Sequence, residues 1–159
     1  MPKNPPTQTL PQNERGQSFL PHAGEGREIS ALAQQLGNLE SAGSYTLGCS
    51  VDELLNASKE AGFALFGADL KGVKGKLNLL NALSQAASFP PEFGANWDAL
   101  ADALCDLSWH EASGYVLLLR NASDTLGLSA NDREIALDLF ADTVVYWRQR
   151  KKPFWVFFA

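Results

Sequence analysis

The sequence is poor in the side chains that carry out redox, nucleophilic or metal chemistry. Its 159 residues include two cysteines, two histidines and one methionine. Cys49 and Cys105 lie far apart and form no CxxC pair, which argues against a disulfide framework and against a zinc site. No histidine stands at a recognisable catalytic spacing from either cysteine, so we expect neither thiol to act as a nucleophile.

Long apolar runs and the common ligand-binding motifs are also missing. No hydrophobic run approaches the roughly 20 residues that span a bilayer, and the N-terminal stretch MPKNPPTQTLPQNERG lacks the apolar centre of a secretory signal. The chain contains no GxxxxGK(S/T), GxGxxG, GxSxG or HExxH pattern. We therefore expect a cytoplasmic protein that is not an enzyme, needs no cofactor and binds no membrane.

Positive charge is scarce in the second half of the chain. Between Glu92 and Asp142, ten acidic residues stand against Arg120 and Arg133, so this part carries −8 whereas the remainder carries +3. Nucleic-acid binding requires the neutralisation of phosphates, which an acidic surface opposes. An acidic surface suits a basic protein partner, because opposite potentials speed the encounter and exclude wrong partners.

The N-terminal part differs in composition from the rest. Residues 1–43 are rich in Pro, Gln, Asn, Gly and Ser and show no sustained period. We predict a flexible extension over residues 1–43 and a folded domain over residues 44–159. Within the extension, residues 1–28 are predicted to be disordered, and residues 29–36 are predicted to form a helix of marginal stability.

From Ser50 onward, helical and strand patterns alternate. Ser50 and Glu53 form a capping-box signature for a helix that Gly62 would end. Further helices are predicted over residues 76–87, from Asn96 and from Ser129, and strands over residues 63–66, 115–119 and 154–158. Long crossovers between the strands predict parallel pairing. The predicted fold class is α/β, with a small three-stranded parallel sheet and about four helices.

The stretch from Phe89 to Trp109, FPPEFGANWDALADALCDLSW, is the most informative. Asn96 is a good N-cap for a short amphipathic helix. The apolar positions recur at helical spacing: Trp97, Leu100, Ala101, Leu104 and Leu107. Aspartates recur every four residues on the other side: Asp98, Asp102 and Asp106. Like charges at this spacing repel by about 0.2–0.5 kcal/mol per pair, yet acidic stripes are usually solvated faces, so the spacing alone assigns no function.

A resemblance to a known family favours a functional role for these aspartates. It rests on eight residues: Pro90, Gly94, Asn96, Asp98, Ala99, Leu100, Asp102 and Leu104. They resemble the barstar family, the inhibitors of barnase-type secreted ribonucleases, and the likeness extends from about Phe63 to the C-terminus. The resemblance implies the same small α/β fold. It also implies that the loop and the helix carry acidic residues that plug the ribonuclease active site.

The resemblance assigns roles to single residues. Asp98 and Asp102 match the two acidic positions of the family on this helix, and Asp142 matches its further acidic contact on the later helix. Just before Phe93, the aromatic contact of the family is replaced by Glu92, which adds a negative charge. The implied site therefore contains more negative charge, and less aromatic surface, than the family pattern.

The remaining candidate residues support the geometry of the site. Gly94 would set the shape of the loop, and Asn96 would start the helix. Trp97 lies at the apolar edge of the helix, where it could belong either to the core or to the interface. The implied partner is a basic, extracellular-type, barnase-like ribonuclease, bound by a monomeric inhibitor of the antitoxin or immunity type.

Two other hypotheses remain open. An acidic adaptor could use the same face to bind a basic protein that is not a nuclease. A carboxylate-dependent metal enzyme could hold a divalent cation at Asp98 and Asp102, although the sequence supplies no further ligand at a recognisable spacing. Salt-sensitive binding to a basic protein would favour the first of these, and cation binding at the two aspartates the second.

Overall fold

The computed structural model describes residues 29–159, which form a four-stranded parallel sheet with helices packed against it. The strands are β1 (Ser44–Thr46), β2 (Ala64–Asp69), β3 (Tyr115–Arg120) and β4 (Phe154–Phe158), in the order β1-β4-β3-β2. The helices are α1 (Ala31–Leu36), α2 (Val51–Ala61), α3 (Lys76–Ala87), α4 (Trp97–Leu104) and α5 (Ala130–Gln149). The disorder predicted for residues 1–28 lies outside the described residues.

The α/β class and the parallel sheet are as predicted, but the number of strands was wrong. The three predicted strands correspond to β2, β3 and β4, and a fourth strand, β1, pairs with the outer edge of β4. Backbone bonds continue this pairing on both sides, from the amide of Val156 to the carbonyl of Gly43 and from the amide of Leu47 to that of Phe158. A strand of three residues is too short to show an alternating pattern of apolar and polar residues. Strand β1 forms because the edge of β4 offers backbone hydrogen-bond partners, and not because its own sequence favours a strand.

The segment before β1 is also packed. Leu36 at the end of α1 is fully buried, and the indole Nε1 of Trp155 donates a hydrogen bond of 2.8 Å to its carbonyl. The Arg148 guanidinium of α5 binds the carbonyls of Leu39 (3.3 Å) and Ala42 (2.7 Å). The packed part of the chain therefore extends back to α1, upstream of the boundary expected at residue 44. Strand β4 binds the end of this helix, which is too short to be stable alone, and α5 binds the segment that follows it.

The predicted helix ends agree closely with the structure. Ser50 and Glu53 form the full capping box at the start of α2, and Gly62 ends that helix in the left-handed conformation (φ 76°). The helix predicted over residues 76–87 is α3, and Ser129 caps α5 by accepting from the amide of Asp132 at 3.1 Å. These local signals are readable because each depends on residues that are close in sequence.

The centre of the sheet forms the core. Strand β3 is buried from Tyr115 to Leu119 and β4 from Phe154 to Phe157, as expected for parallel strands that are covered on both faces. Across residues 29–159, no helix is long and apolar enough to cross a bilayer. The core thus fixes the positions of α3, α4 and α5, which surround the candidate site.

The packing of α1 predicts a stability difference between two leucines. Leu36→Ala removes a fully buried side chain and should lower the free energy of unfolding by about 2–5 kcal/mol. Leu77→Ala on α3 is the matched control, since that side chain is 58% exposed and surface changes stay within about 0.5 kcal/mol. Urea denaturation of the full chain measures both. Equal stability of the two variants would mean that α1 does not pack on the sheet.

Candidate protein-binding site

The loop before α4 is shaped by three successive residues. Asn96 caps the helix: its Oδ1 accepts the amide of Ala99 at 2.7 Å, and its Nδ2 lies 3.4 Å from the carbonyl of Gly94. A Cβ on Gly94 would come within 3.2 Å of that Nδ2, so glycine leaves room for the cap. The left-handed residue is Ala95 (φ 53°). The loop therefore turns at Ala95, one residue after the glycine expected to set its geometry.

Helix α4 buries one face and exposes its carboxylates on the other. Leu100 and Leu104 are buried in the core, whereas Asp98 and Asp102 are exposed. The helix ends at Leu104, so the third aspartate of the predicted series, Asp106, lies in the following turn and is also exposed. Asp98 stands in the first turn, where the helix dipole favours a carboxylate.

Two indole groups fix the segment that carries these aspartates. The Nε1 of Trp147 on α5 donates to the carbonyl of Leu104 at 2.8 Å. The Nε1 of Trp109, which follows the turn, donates to the carbonyl of Ala87 at the end of α3 at 2.9 Å. Both carbonyls belong to the last turn of a helix and have no partner within that helix. Neighbouring helices therefore hold the C-terminal end of α4 in place.

One of the acidic residues of α5, Asp142, lies beside α4. Asp142 is exposed, and its helix packs against α4. Burial raises the pKa of the Cys105 thiol, and the negative charges of Asp102 and Asp142 raise it further, whereas a hydrogen bond with Thr143 and the charge of Arg150 oppose them. Both carboxylates thus act on one thiol at the contact between the two helices. Three predicted residues, Asp98, Asp102 and Asp142, lie on adjacent elements.

A shallow pocket of about 260 Å³ separates the loop from α4. Glu92 and Asp102 line it, as does Asp106. The apolar part of its lining comes from Pro90, Phe93, Ala99, Ala103 and Trp109, with Gly94 in the loop. Asp98 is outside this lining. The candidate site therefore has two parts: the outward carboxylates of the helices, and a concavity between loop and helix.

The carboxylates of the site are unpaired within residues 29–159. The ion pairs of this part of the chain lie elsewhere, between Arg120 and Asp69 and between Lys152 and Glu111. In the same residues, no three His, Cys, Asp or Glu side chains come together in a way that could hold a metal ion. The site thus presents a concentrated negative potential to the outside.

Trp109 and Phe93 were not predicted as site residues, and no role was predicted for Asp106. The aspartate period of four contains Asp106, so its place on the acidic surface could have been found from spacing. The aromatic walls could not, because Trp109 reaches the pocket through its hydrogen bond to α3, which no local pattern encodes. Trp97, for which both a core role and an interface role were considered, is half-buried, and the Nζ of Lys76 lies 5.9 Å from its ring centroid.

One family model matches the C-terminal part of the chain. Residues 63–159 match the family model described as Barstar (barnase inhibitor). The match covers β2 to β4 and every residue of the candidate site, whereas α1, β1 and α2 precede it. No curated protein matches the chain.

The indole bond to α4 predicts a specific cost of substitution. Trp147→Phe keeps an aromatic ring but leaves the Leu104 carbonyl without its donor, which should lower the free energy of unfolding by about 1–3 kcal/mol. Trp97→Phe is the control, because within residues 29–159 the Trp97 indole donates no hydrogen bond. Thermal unfolding of both variants measures the difference. A Trp147→Phe protein as stable as the control would contradict this role for the indole.

Proposed function

We propose, because the chain belongs to the barstar family, that it inhibits a ribonuclease of the barnase type by occupying the active site of that enzyme. The observation that carries this proposal is a set of exposed carboxylates on two adjacent helices that form no ion pair within residues 29–159: Asp98 and Asp102 on α4 and Asp142 on α5. The protein would act by stoichiometric binding and not by catalysis.

The mechanism follows from the chemistry of ribonuclease active sites. Such sites hold Lys, Arg and His side chains that cradle phosphate, so a row of carboxylates can take the place of the RNA backbone. Asp98 and Asp102 lie one helical turn apart, a spacing of about 5–6 Å between Cβ atoms. Both would enter the cationic active site, and Asp142 would contact its rim.

Rigid presentation of the carboxylates supports this mechanism. The Asn96 cap fixes the start of α4, and the Trp147 and Trp109 indoles fix its end and the turn that follows. A binding surface that is already ordered loses less conformational entropy on association. The acidic potential also accelerates the encounter with a basic enzyme. Binding should therefore be fast and should weaken as salt screens the charges.

Glu92 restricts which ribonucleases could be the preferred target. It replaces the aromatic residue of the family pattern with an exposed carboxylate, so the preferred enzyme should be more basic at this contact than the usual targets of the family. The same feature favours the second candidate function, an adaptor that binds a basic protein without nuclease activity. Binding to a panel of barnase-like ribonucleases separates the two, since only an inhibitor suppresses RNA cleavage.

Substitution of Asp102 tests the proposed interface. Asp102→Asn should weaken binding to a ribonuclease of the panel by about 2–5 kcal/mol, because the cations of the active site would stay buried without their partner. Asp52→Asn is the control: it removes the same charge from an exposed position on α2, and it should change affinity by less than about 0.5 kcal/mol. Calorimetric titration at low and moderate salt gives both values. Equal affinities of the two variants would contradict the proposed plug.

A further inference from the structure

One edge of the sheet is formed by a long strand with an open side. Strand β2 pairs with β3 along its whole length, and within residues 29–159 no strand pairs with its other side. The amide of Ala64 donates towards β3, to the carbonyl of Gly114 at 3.0 Å. Successive residues of a strand direct their backbone groups to opposite sides. The N–H and C=O groups of Leu65, Gly67 and Asp69 therefore point to the open side.

This edge lacks the features that usually protect an edge strand from pairing. Such strands are commonly short, bulged, or interrupted by charged residues and proline. Strand β2 has six residues, as many as β3, and pairs with it in unbroken register. The stretch 63–68, FALFGA, contains no charged residue and no proline. The chain covers the edge of β4 with β1, whereas the edge of β2 is available to a second molecule.

Gly67 lies at the centre of the open edge, and the fold does not require a glycine there. Gly67 is exposed and does not have a positive φ. A Cβ at this position would meet only the side chain of Leu65, at an ordinary contact distance of 3.8 Å. A glycine inside a strand often marks a place where another backbone approaches closely. No backbone of residues 29–159 does so on this side of Gly67.

We propose that β2 pairs with β2 of a second copy of this chain, in antiparallel orientation, so that two four-stranded sheets join into one. Two-fold contacts are the commonest in homo-oligomers, and they use the same surface of both copies. One antiparallel register pairs all three outward-facing residues of both strands: it places Gly67 opposite Gly67 and Leu65 opposite Asp69. The glycines then lie at the two-fold axis, where the two backbones approach each other.

Charged residues at the two ends of β2 complement each other in this orientation. Asp69 and Lys71 lie at the C-terminal end, Lys59 and Glu60 precede the N-terminal end, and all four are exposed. Antiparallel pairing brings the C-terminal end of one copy beside the N-terminal end of the other, so cations meet anions at both ends. Within residues 29–159, Lys59, Glu60 and Lys71 form no ion pair. The contact is thus self-complementary in charge as well as in backbone hydrogen bonds.

This dimer goes beyond the proposed function and does not depend on it. Strand β2 packs against α2 and α3, whereas Asp98, Asp102 and Asp142 lie on α4 and α5. Each copy would therefore keep its acidic surface accessible to a ribonuclease. The dimer would replace the monomer that the family resemblance implies.

Analytical ultracentrifugation and amide hydrogen exchange of the full chain test this pairing without any ribonuclease. We expect a dimer whose population rises with protein concentration. The amides of Leu65 and Gly67 should become protected from exchange as the dimer forms, whereas those of Phe66 and Ala68, which face β3, should be protected at every concentration. A protein that is still monomeric at about 1 mM, or protection of Leu65 and Gly67 already in the monomer, would overturn the proposal.

Substitution of Gly67 tests the register. Gly67→Lys places like charges opposite each other and should weaken the dimer about tenfold, while the open space around a Cβ keeps each copy folded, as circular dichroism can check. Gly67→Glu should act likewise, and an equimolar mixture of both variants should associate more tightly than either alone. Asn131→Lys is the control, because it adds the same charge at an exposed position of α5 and should leave the dimer unchanged. A dimer unaffected by Gly67→Lys, or a mixture that associates no more tightly than its components, would contradict this pairing.

Discussion

The architecture depends on hydrogen bonds between tryptophan indoles and the C-terminal ends of helices. A helix leaves its last carbonyls without partners, and a buried one loses free energy unless a donor reaches it. Three of the four tryptophans supply that donor to the final residue of a helix, at 2.8 or 2.9 Å. The pairs are Trp155 with Leu36 of α1, Trp109 with Ala87 of α3, and Trp147 with Leu104 of α4. Each bond joins residues at least 22 positions apart, so each fastens a helix end to a distant part of the fold.

These hydrogen bonds allow α4 to stay folded although its aspartates repel one another. Aspartates at Asp98 and Asp102 repel one another in an isolated helix, and α4 has only eight residues, too few to be stable alone. The core contacts of Leu100 and Leu104 and the indole of Trp147 offset this repulsion. The folded protein therefore keeps in one orientation carboxylates that have no ion-pair partner among residues 29–159. A cationic partner would relieve the repulsion, and part of the affinity would come from that relief.

Local signals made much of the fold predictable. The cap at Asn96, the capping box of α2, the extent of α3 and the apolar strands β3 and β4 all follow from residues close in sequence. The features that were not predicted depend on distant partners: the strand β1 pairs with β4, and the predicted marginal helix α1 is packed because Trp155 binds its last carbonyl. The acidic residues of the candidate site were visible in the sequence, whereas the pocket with its Trp109 wall was not, because a contact between α3 and the turn after α4 forms it.

The proposed function requires that this surface and RNA compete for one site on a ribonuclease. Steady-state cleavage by a ribonuclease that binds the protein, measured at several RNA concentrations and increasing amounts of the protein, tests this claim most directly. We expect full inhibition at one molecule of protein per molecule of enzyme, with an apparent inhibition constant that rises in proportion to the RNA concentration once this exceeds KM. An inhibition constant that does not change with RNA concentration, or binding that leaves cleavage intact, would contradict it.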